Sequence, residues 1–206
     1  MLTLPGVTML IEKFRFQESD HSYWIGDMRI PGTTEVLRGL GIIDSRWAEE
    51  QHLVRGSAVH LACKFLAENC LDWESVDPSI IGYVEAYRAF LKAEKYQPTI
   101  TELPMHHPIY LYGVTPDAVG TWHGGRDLVV VEIKTGNMPK WAALQTAAQG
   151  MAVGIKEDLS WHKIKRIGLE LRRDGGYRIF PFTDPNDGPV FLSCVAAYTY
   201  KLNNGI

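Results

Sequence analysis

Apolar and polar positions follow two different rhythms along this chain, and the point where the rhythm changes organises the reading. Residues 8–16 and 22–30 read as a pair of strands, turning through Glu18-Ser19-Asp20-His21. Pro31-Gly32-Thr33-Thr34-Glu35 breaks the second strand and offers a hydroxyl N-cap to a short helix ending near Leu40. Asp44 or Ser45 caps a longer helix to about Asn69, with Gly56 as a candidate interruption. Val54, Ala58, Leu61, Phe65 and Leu66 recur along it at helical spacing and predict its buried face. Asp77-Pro78 is an N-cap followed by proline, and opens a helix to about Lys95 with Ile81, Val84, Tyr87 and Leu91 on one face.

The period then shortens. Residues 99–106, 109–122 and 127–134 look extended, and His123-Gly124-Gly125 is a hairpin turn between the last two. Pro139 opens a helix over about 139–156. Residues 163–171 and 176–182 form another hairpin around Asp174-Gly175-Gly176, and a helix over about 189–202 closes the chain. This order predicts one α/β domain over residues 1–206, with a hairpin and helices in 1–97. A mixed or largely antiparallel central sheet, flanked by helices, follows in 98–206.

Composition adds exclusions. The chain has 206 residues, 46% of them hydrophobic and 22% charged, which is ordinary for a globular protein and argues against disorder. Net charge is −3, too little cation for a protein that coats polyanions. The charge is uneven, however: residues 1–125 carry 10 basic and 16 acidic side chains, and residues 126–173 carry 9 and 5. An enzyme acting on phosphates through a metal wants both an acidic pocket and a basic face. Cys63 and Cys70 lie seven apart on one predicted helix, roughly 10 Å between Cα atoms and beyond disulfide reach. With Cys194 they make an odd, unframed set, so a reducing, cytoplasmic compartment is expected. MLTLPGVTML lacks the pattern of a signal peptide, and no apolar run is long enough for a membrane span.

The chemistry concentrates in Gly113-Val114-Thr115-Pro116-Asp117, then fourteen residues, then Glu132-Ile133-Lys134-Thr135-Gly136. On a strand, Glu132 and Lys134 share one face and Val131 and Ile133 the other. The Gly124-Gly125 hairpin folds Asp117 back beside Glu132. Two carboxylates and an ammonium then converge, an arrangement that needs a cation to offset the repulsion and lost solvation of the acids. Mg²⁺, a hard ion with oxygen ligands, fits, and a water beside it can attack a phosphate with Lys134 orienting or deprotonating it.

These residues resemble the PD-(D/E)XK nuclease superfamily. Pro116-Asp117 matches the first half of its motif, and Glu132-Ile133-Lys134 the second. Arg55-Gly56-Ser57-Ala58-Val59-His60 is similar to the upstream helical motif of the RecB-like exonuclease branch, in which the histidine ligates metal. Thr135-Gly136 matches that branch's K-T-G ending. Gln145 matches the start of its Q-x-x-x-Y motif, whose last position is Gln149 here instead of tyrosine. The stretch from His21 to Leu37 looks like the hairpin and helix start of phage and mitochondrial-genome-maintenance-type exonucleases. The resemblance spans residues 20–150 and implies a mixed sheet flanked by helices and Mg²⁺- or Mn²⁺-dependent hydrolysis of DNA, in a setting of phage or bacterial recombination or repair. It implies Asp117, Glu132, His60 and the main-chain carbonyl of Ile133 as metal ligands, and Lys134 and Gln145 as further catalytic positions.

Substrate contacts are expected from Trp24, Thr33, Thr34, Arg55 and Trp141, with Glu102 as a secondary candidate on the strand before Gly113. Aromatic rings stack on splayed bases, and a helix start offers N–H groups to phosphate. These features, with a net charge of −3 that leaves no basic expanse to wrap a long duplex, predict a single DNA strand at the metal. A recombination protein is a candidate partner, and oligomeric state stays open. Two other readings remain: a non-catalytic nucleic-acid-binding or assembly module on the same fold, and an endonuclease with the same site. His106-His107 are adjacent on a strand, so their rings point apart and cannot chelate together. No phosphate-binding glycine loop or serine-hydrolase elbow is present in the sequence.

Overall fold

A computed structural model describes residues 14–44 and 50–206. Strand positions 8–13 and the helix cap at Ser45 lie outside the described residues. The N-terminal strand pair is a three-stranded antiparallel sheet, β1 (Phe14–Gln17), β2 (Ser22–Ile25) and β3 (Met28–Ile30). What reads as one strand over 22–30 folds in two at Gly26-Asp27, where Gly26 takes φ 59°, a conformation open to glycine at little cost.

Helix α1 (Thr33–Gly39) has Gly32 as its N-cap. The expected hydroxyl cap is absent, because the Thr33 hydroxyl donates to the Gly113 carbonyl at 3.0 Å. The Glu35 carboxylate reaches back to the Gly32 N–H at 3.3 Å in its place. Helix α2 (Glu50–Ala67) runs through Gly56 without a break. Its predicted buried face is corrected in part, since Ala58 and Leu66 pack against the core. Val54, Leu61 and Phe65 are 65%, 51% and 39% exposed, and Val59, Ala62 and Cys63 enter the core. Apolar residues lie on both sides of this helix, so periodicity alone could not choose between them. Helix α3 (Ile81–Ala93) begins later than Pro78, since the Asp77 carboxylate caps a preceding turn by accepting from Ser79 N–H at 2.7 Å. Val84 and Tyr87 are buried as expected, and Ile81 faces solvent.

The central sheet has five strands: β4 (Gln97–Thr101), β7 (Ala118–Thr121), β8 (Leu128–Lys134), β9 (Lys165–Leu171) and β10 (Tyr177–Pro181). Their order is β10-β9-β8-β7-β4, with β8 and β9 parallel and the other neighbours antiparallel. A mixed sheet flanked by helices is the expected class. Two predicted strands are broken, and the prolines give the reason. Without an N–H, Pro104 and Pro116 cannot donate to a ladder. The chain therefore leaves β4 before Pro104 and forms a separate ribbon of β5 (Met105–His107) and β6 (Tyr112–Val114), rejoining the sheet after Pro116.

Alternation along β8 feeds two cores. Val129, Val131 and Ile133 pack with α2 and α3, and Val130 packs with α4 (Ala142–Lys156) and α5 (Asp187–Asn204). Helix α4 links the parallel pair β8 and β9 as the crossover such a pair requires. The N-terminal sheet is clamped to the rest through Tyr23, whose hydroxyl meets Thr115 Oγ1 at 2.8 Å. Gly113 makes this close approach possible, since a Cβ there would lie 2.1 Å from the Tyr23 ring. The clamp fixes the segment that carries Pro116-Asp117.

Candidate active site

Asp117 sits where the chain steps from β6 into β7. Ala118 pairs with Val131, so continuing that register by one residue brings Asp117 opposite Glu132. The Asp117 Oδ2 accepts the Ile133 N–H at 2.6 Å, which ties the carboxylate to the end of β8. Glu132 points beneath α4 and is 2% exposed. Both of its oxygens are engaged: Lys134 Nζ donates to Oε1 at 2.5 Å and Gln149 Nε2 to Oε2 at 2.8 Å. The Lys134 ammonium lies 5.0 Å from the centre of the Trp141 ring.

His60 comes to the same place from α2, on the opposite side. Its Nδ1 is 3.1 Å from Asp117 Oδ1 and 3.5 Å from Glu102 Oε1. Glu102 follows β4 with φ 46°, a backbone conformation uncommon for a residue with a side chain. His60, Glu102 and Asp117 each offer a ligand atom within 4.8 Å of the others. An imidazole nitrogen and carboxylate oxygens are the donor types that suit Mn²⁺, and the carboxylates suit Mg²⁺. Sequence reasoning assigned Glu102 to substrate; its position puts it with the candidate ligands.

The electrostatics show the strain of the arrangement. Burial pushes the Glu132 carboxyl above its ordinary range, and the Asp117 charge pushes the same way against Lys134 and Gln149. Burial acts in the same direction on Asp117, but the His60 charge and hydrogen bond, aided by Lys134 and the Ile133 N–H, hold it below the usual range. For His60, burial opposes the charged form, yet Asp117, Glu102 and Glu132 carry its pKa to about 10. Lys134 is raised as well: burial opposes its charge, and Glu132 and Asp117 overcome it. These carboxylates favour the protonated form of His60, and a cation bound through that nitrogen would displace the proton.

A cleft of about 840 Å³ opens over this cluster, lined by His60, Glu102, Asp117, Glu132, Gln145 and Gln149 at its floor. Thr33 and Thr34 of α1 also line it, although the Thr33 hydroxyl is already used against Gly113. Arg38 and Lys64 reach the cleft without having been singled out from the sequence. The signal for Lys64 was its spacing: four residues after His60, it lies on the same helix face.

Three expected substrate contacts lie outside the cleft lining. Trp24 is on the face of β2 opposite Tyr23; it donates to Ser22 Oγ at 2.8 Å and has Arg15 stacked 5.1 Å away. Arg55 lies over the Tyr83 ring at 5.7 Å, on the side of α2 turned to α3. Trp141 serves as the ring under Lys134. His106 and His107 are both buried in packing positions. Cys63 is buried in the core and, like Cys70 and Cys194, is a free thiol.

No family model and no curated protein matches the chain. Among solved structures, the chain is similar to the crystal structure of LHK-Exo in complex with dAMP. That similarity has 16% sequence identity and a TM-score of 0.41, and covers 85% of this chain and 89% of the other. Among the described residues, no helix is long and apolar enough to cross a membrane.

Proposed function

We propose that this chain is a divalent-metal-dependent deoxyribonuclease that works from strand ends, as one nuclease domain. The observation that carries the reading is the convergence of Asp117, Glu132, His60 and Glu102 on the floor of one cleft, with Lys134 hydrogen-bonded to Glu132. Asp117 and His60 are the ligands of choice, with Glu102 beside them and the Glu132 carboxylate and Ile133 carbonyl completing the set. A cation held there would neutralise phosphate charge and make a nearby water more acidic. Lys134, fixed by Glu132 and backed by the Trp141 ring, orients the attacking water and offsets charge that develops on the phosphate. Gln145, whose buried Oε1 has no partner among the described residues, is an acceptor facing the same space.

DNA is the substrate that the sequence resemblance implies, in a recombination or repair setting of a bacterial or phage-infected cell. The cleft favours a single strand. Its walls carry Glu18, Asp20 and Glu35 among Arg29, Arg38 and Lys64, so only a few phosphates find a cation. Arg29 is further committed to Glu35 at 2.8 Å. The test is digestion of end-labelled single-stranded, duplex and circular DNA in Mg²⁺, Mn²⁺ or chelator. Linear DNA is expected to shorten from its ends in either metal and to survive in chelator, with circles intact. Cut circles would make the protein an endonuclease. Binding without a metal-dependent product would leave the non-catalytic module.

A further inference from the structure

Gln149, which contacts Glu132, has an unusual setting. It is 1% exposed, in the middle of α4 among Ala147, Ala148 and Met151. A buried amide in such a helix is costly unless its groups are satisfied. Only one half is satisfied. The Nε2 donates to Glu132 Oε2 at 2.8 Å, and the Oε1 is buried with no partner among the described residues although the side chain lines the cleft. One turn earlier, the Gln145 Oε1 is in the same condition.

We propose that Gln149 is a positioning residue: it fixes the Glu132 carboxylate for cation binding and keeps its own Oε1 as an acceptor for a water in the cleft. This rests on the reading of the cleft as a metal site. The geometry supports it from both ends of Glu132. Lys134 is two residues along the same strand and holds Oε1, but it is partly exposed and its stem is flexible. Gln149 approaches from a different element and holds Oε2. A carboxylate held at both oxygens cannot rotate to trade ligands, so it is oriented before the ion arrives. Partners of metal ligands commonly change affinity about ten- to a hundredfold when removed. Had Gln149 served only to pin α4 to β8, a residue satisfying both amide groups or an apolar one would fit better.

The test is a titration of the purified full chain with Mn²⁺, following free ion by electron paramagnetic resonance, alongside urea unfolding in chelator. Gln149→Met keeps the length and apolar stem and removes both polar groups. Its Mn²⁺ affinity is expected to fall about tenfold or more, with the folded state retained. In a Glu132→Gln background, Gln149→Met should add little further loss, because its effect runs through Glu132. Equal affinity in wild type and Gln149→Met, or full additivity with Glu132→Gln, would overturn the positioning role. Should Gln149→Met fail to fold, Gln149→Asn, which keeps an amide but shortens its reach, takes its place, with the same affinity loss expected. A wild-type protein that binds no Mn²⁺ would overturn the metal site itself, which distinguishes the two failures.

Discussion

Two buried charges lie beneath helix α4, one strand apart, and their surroundings differ in kind. Arg166 on β9 is closed. Its guanidinium donates to the carbonyls of Ala143 at 2.9 Å and Asp184 at 3.0 Å and pairs with Asp187 at 2.9 Å, and its stem passes Gly150. Glu132 on β8 belongs to a group that does not close. Three carboxylates, Glu102, Asp117 and Glu132, face Lys134 and His60, and two buried amide oxygens lack donors among the described residues. A buried charge that serves only the fold is matched by the chain's own atoms. Residual negative charge beside unused acceptors is what the proposed cation would answer.

The largest expected effect follows from removing a carboxylate or the ammonium from the open group. Asp117→Ala and Lys134→Ala should each lower metal-dependent DNA cleavage at least about a hundredfold, read from gel assays of end-labelled strands, with circular dichroism unchanged. The closed group should answer in the opposite currency. Arg166→Ala strands Asp187 and two carbonyls under α4 and is expected to cost about 3 kcal/mol in urea unfolding, while the Mn²⁺ affinity of the folded protein stays within about twofold. An Arg166 variant that loses metal binding without losing stability would erase the distinction. A smaller effect is expected from Glu102→Gln, which leaves Asp117 and His60 in place: stability in chelator should move by less than about 1 kcal/mol, with Mn²⁺ binding weakened.

The smallest effect contrasts two histidines. His60, among acids, binds its proton tightly; His107 does the reverse. Burial, with His106 beside it, pushes His107 down to about 4. Its Nδ1 accepts the N–H groups of Ile109 and Tyr110, each at 3.3 Å, which requires the neutral ring. The unfolded chain takes up this proton near the ordinary value of about 6.5, and the folded one near 4. As pH falls through that window the unfolded state gains, so His107 favours folding less. Wild type should lose its advantage over His107→Asn between pH 7 and pH 4.5 in urea melts. A constant difference across that range would mean that the ring is not held neutral.

The sequence carried the site further than the fold around it. Pro116-Asp117 and Glu132-x-Lys134 are local patterns, and a single hairpin joins them, so their convergence could be read without tertiary knowledge. His60 required the helix motif, since nothing near it in the chain is acidic. Glu102 lies one residue past β4, and its approach to His60 depends on a positive φ that residue type does not advertise. The α2 stripe of Val54, Leu61 and Phe65 misled for a different reason: periodicity finds an apolar face but does not say which of two faces meets the sheet. Trp24 and Arg55 went to packing partners, Arg15 and Tyr83, that only the three-dimensional arrangement supplies.

The contrast between the closed and open groups is tested most directly by unfolding the protein in urea with and without a divalent cation. At about a hundred times its dissociation constant, a cation that binds the folded state alone adds about 2.7 kcal/mol. Wild type and Arg166→Ala are expected to gain that stabilisation from Mn²⁺ over chelator, and Asp117→Ala to gain none. If Mn²⁺ leaves wild type unchanged, or stabilises Asp117→Ala by as much, the cluster of Asp117, His60, Glu102 and Glu132 is not a metal site.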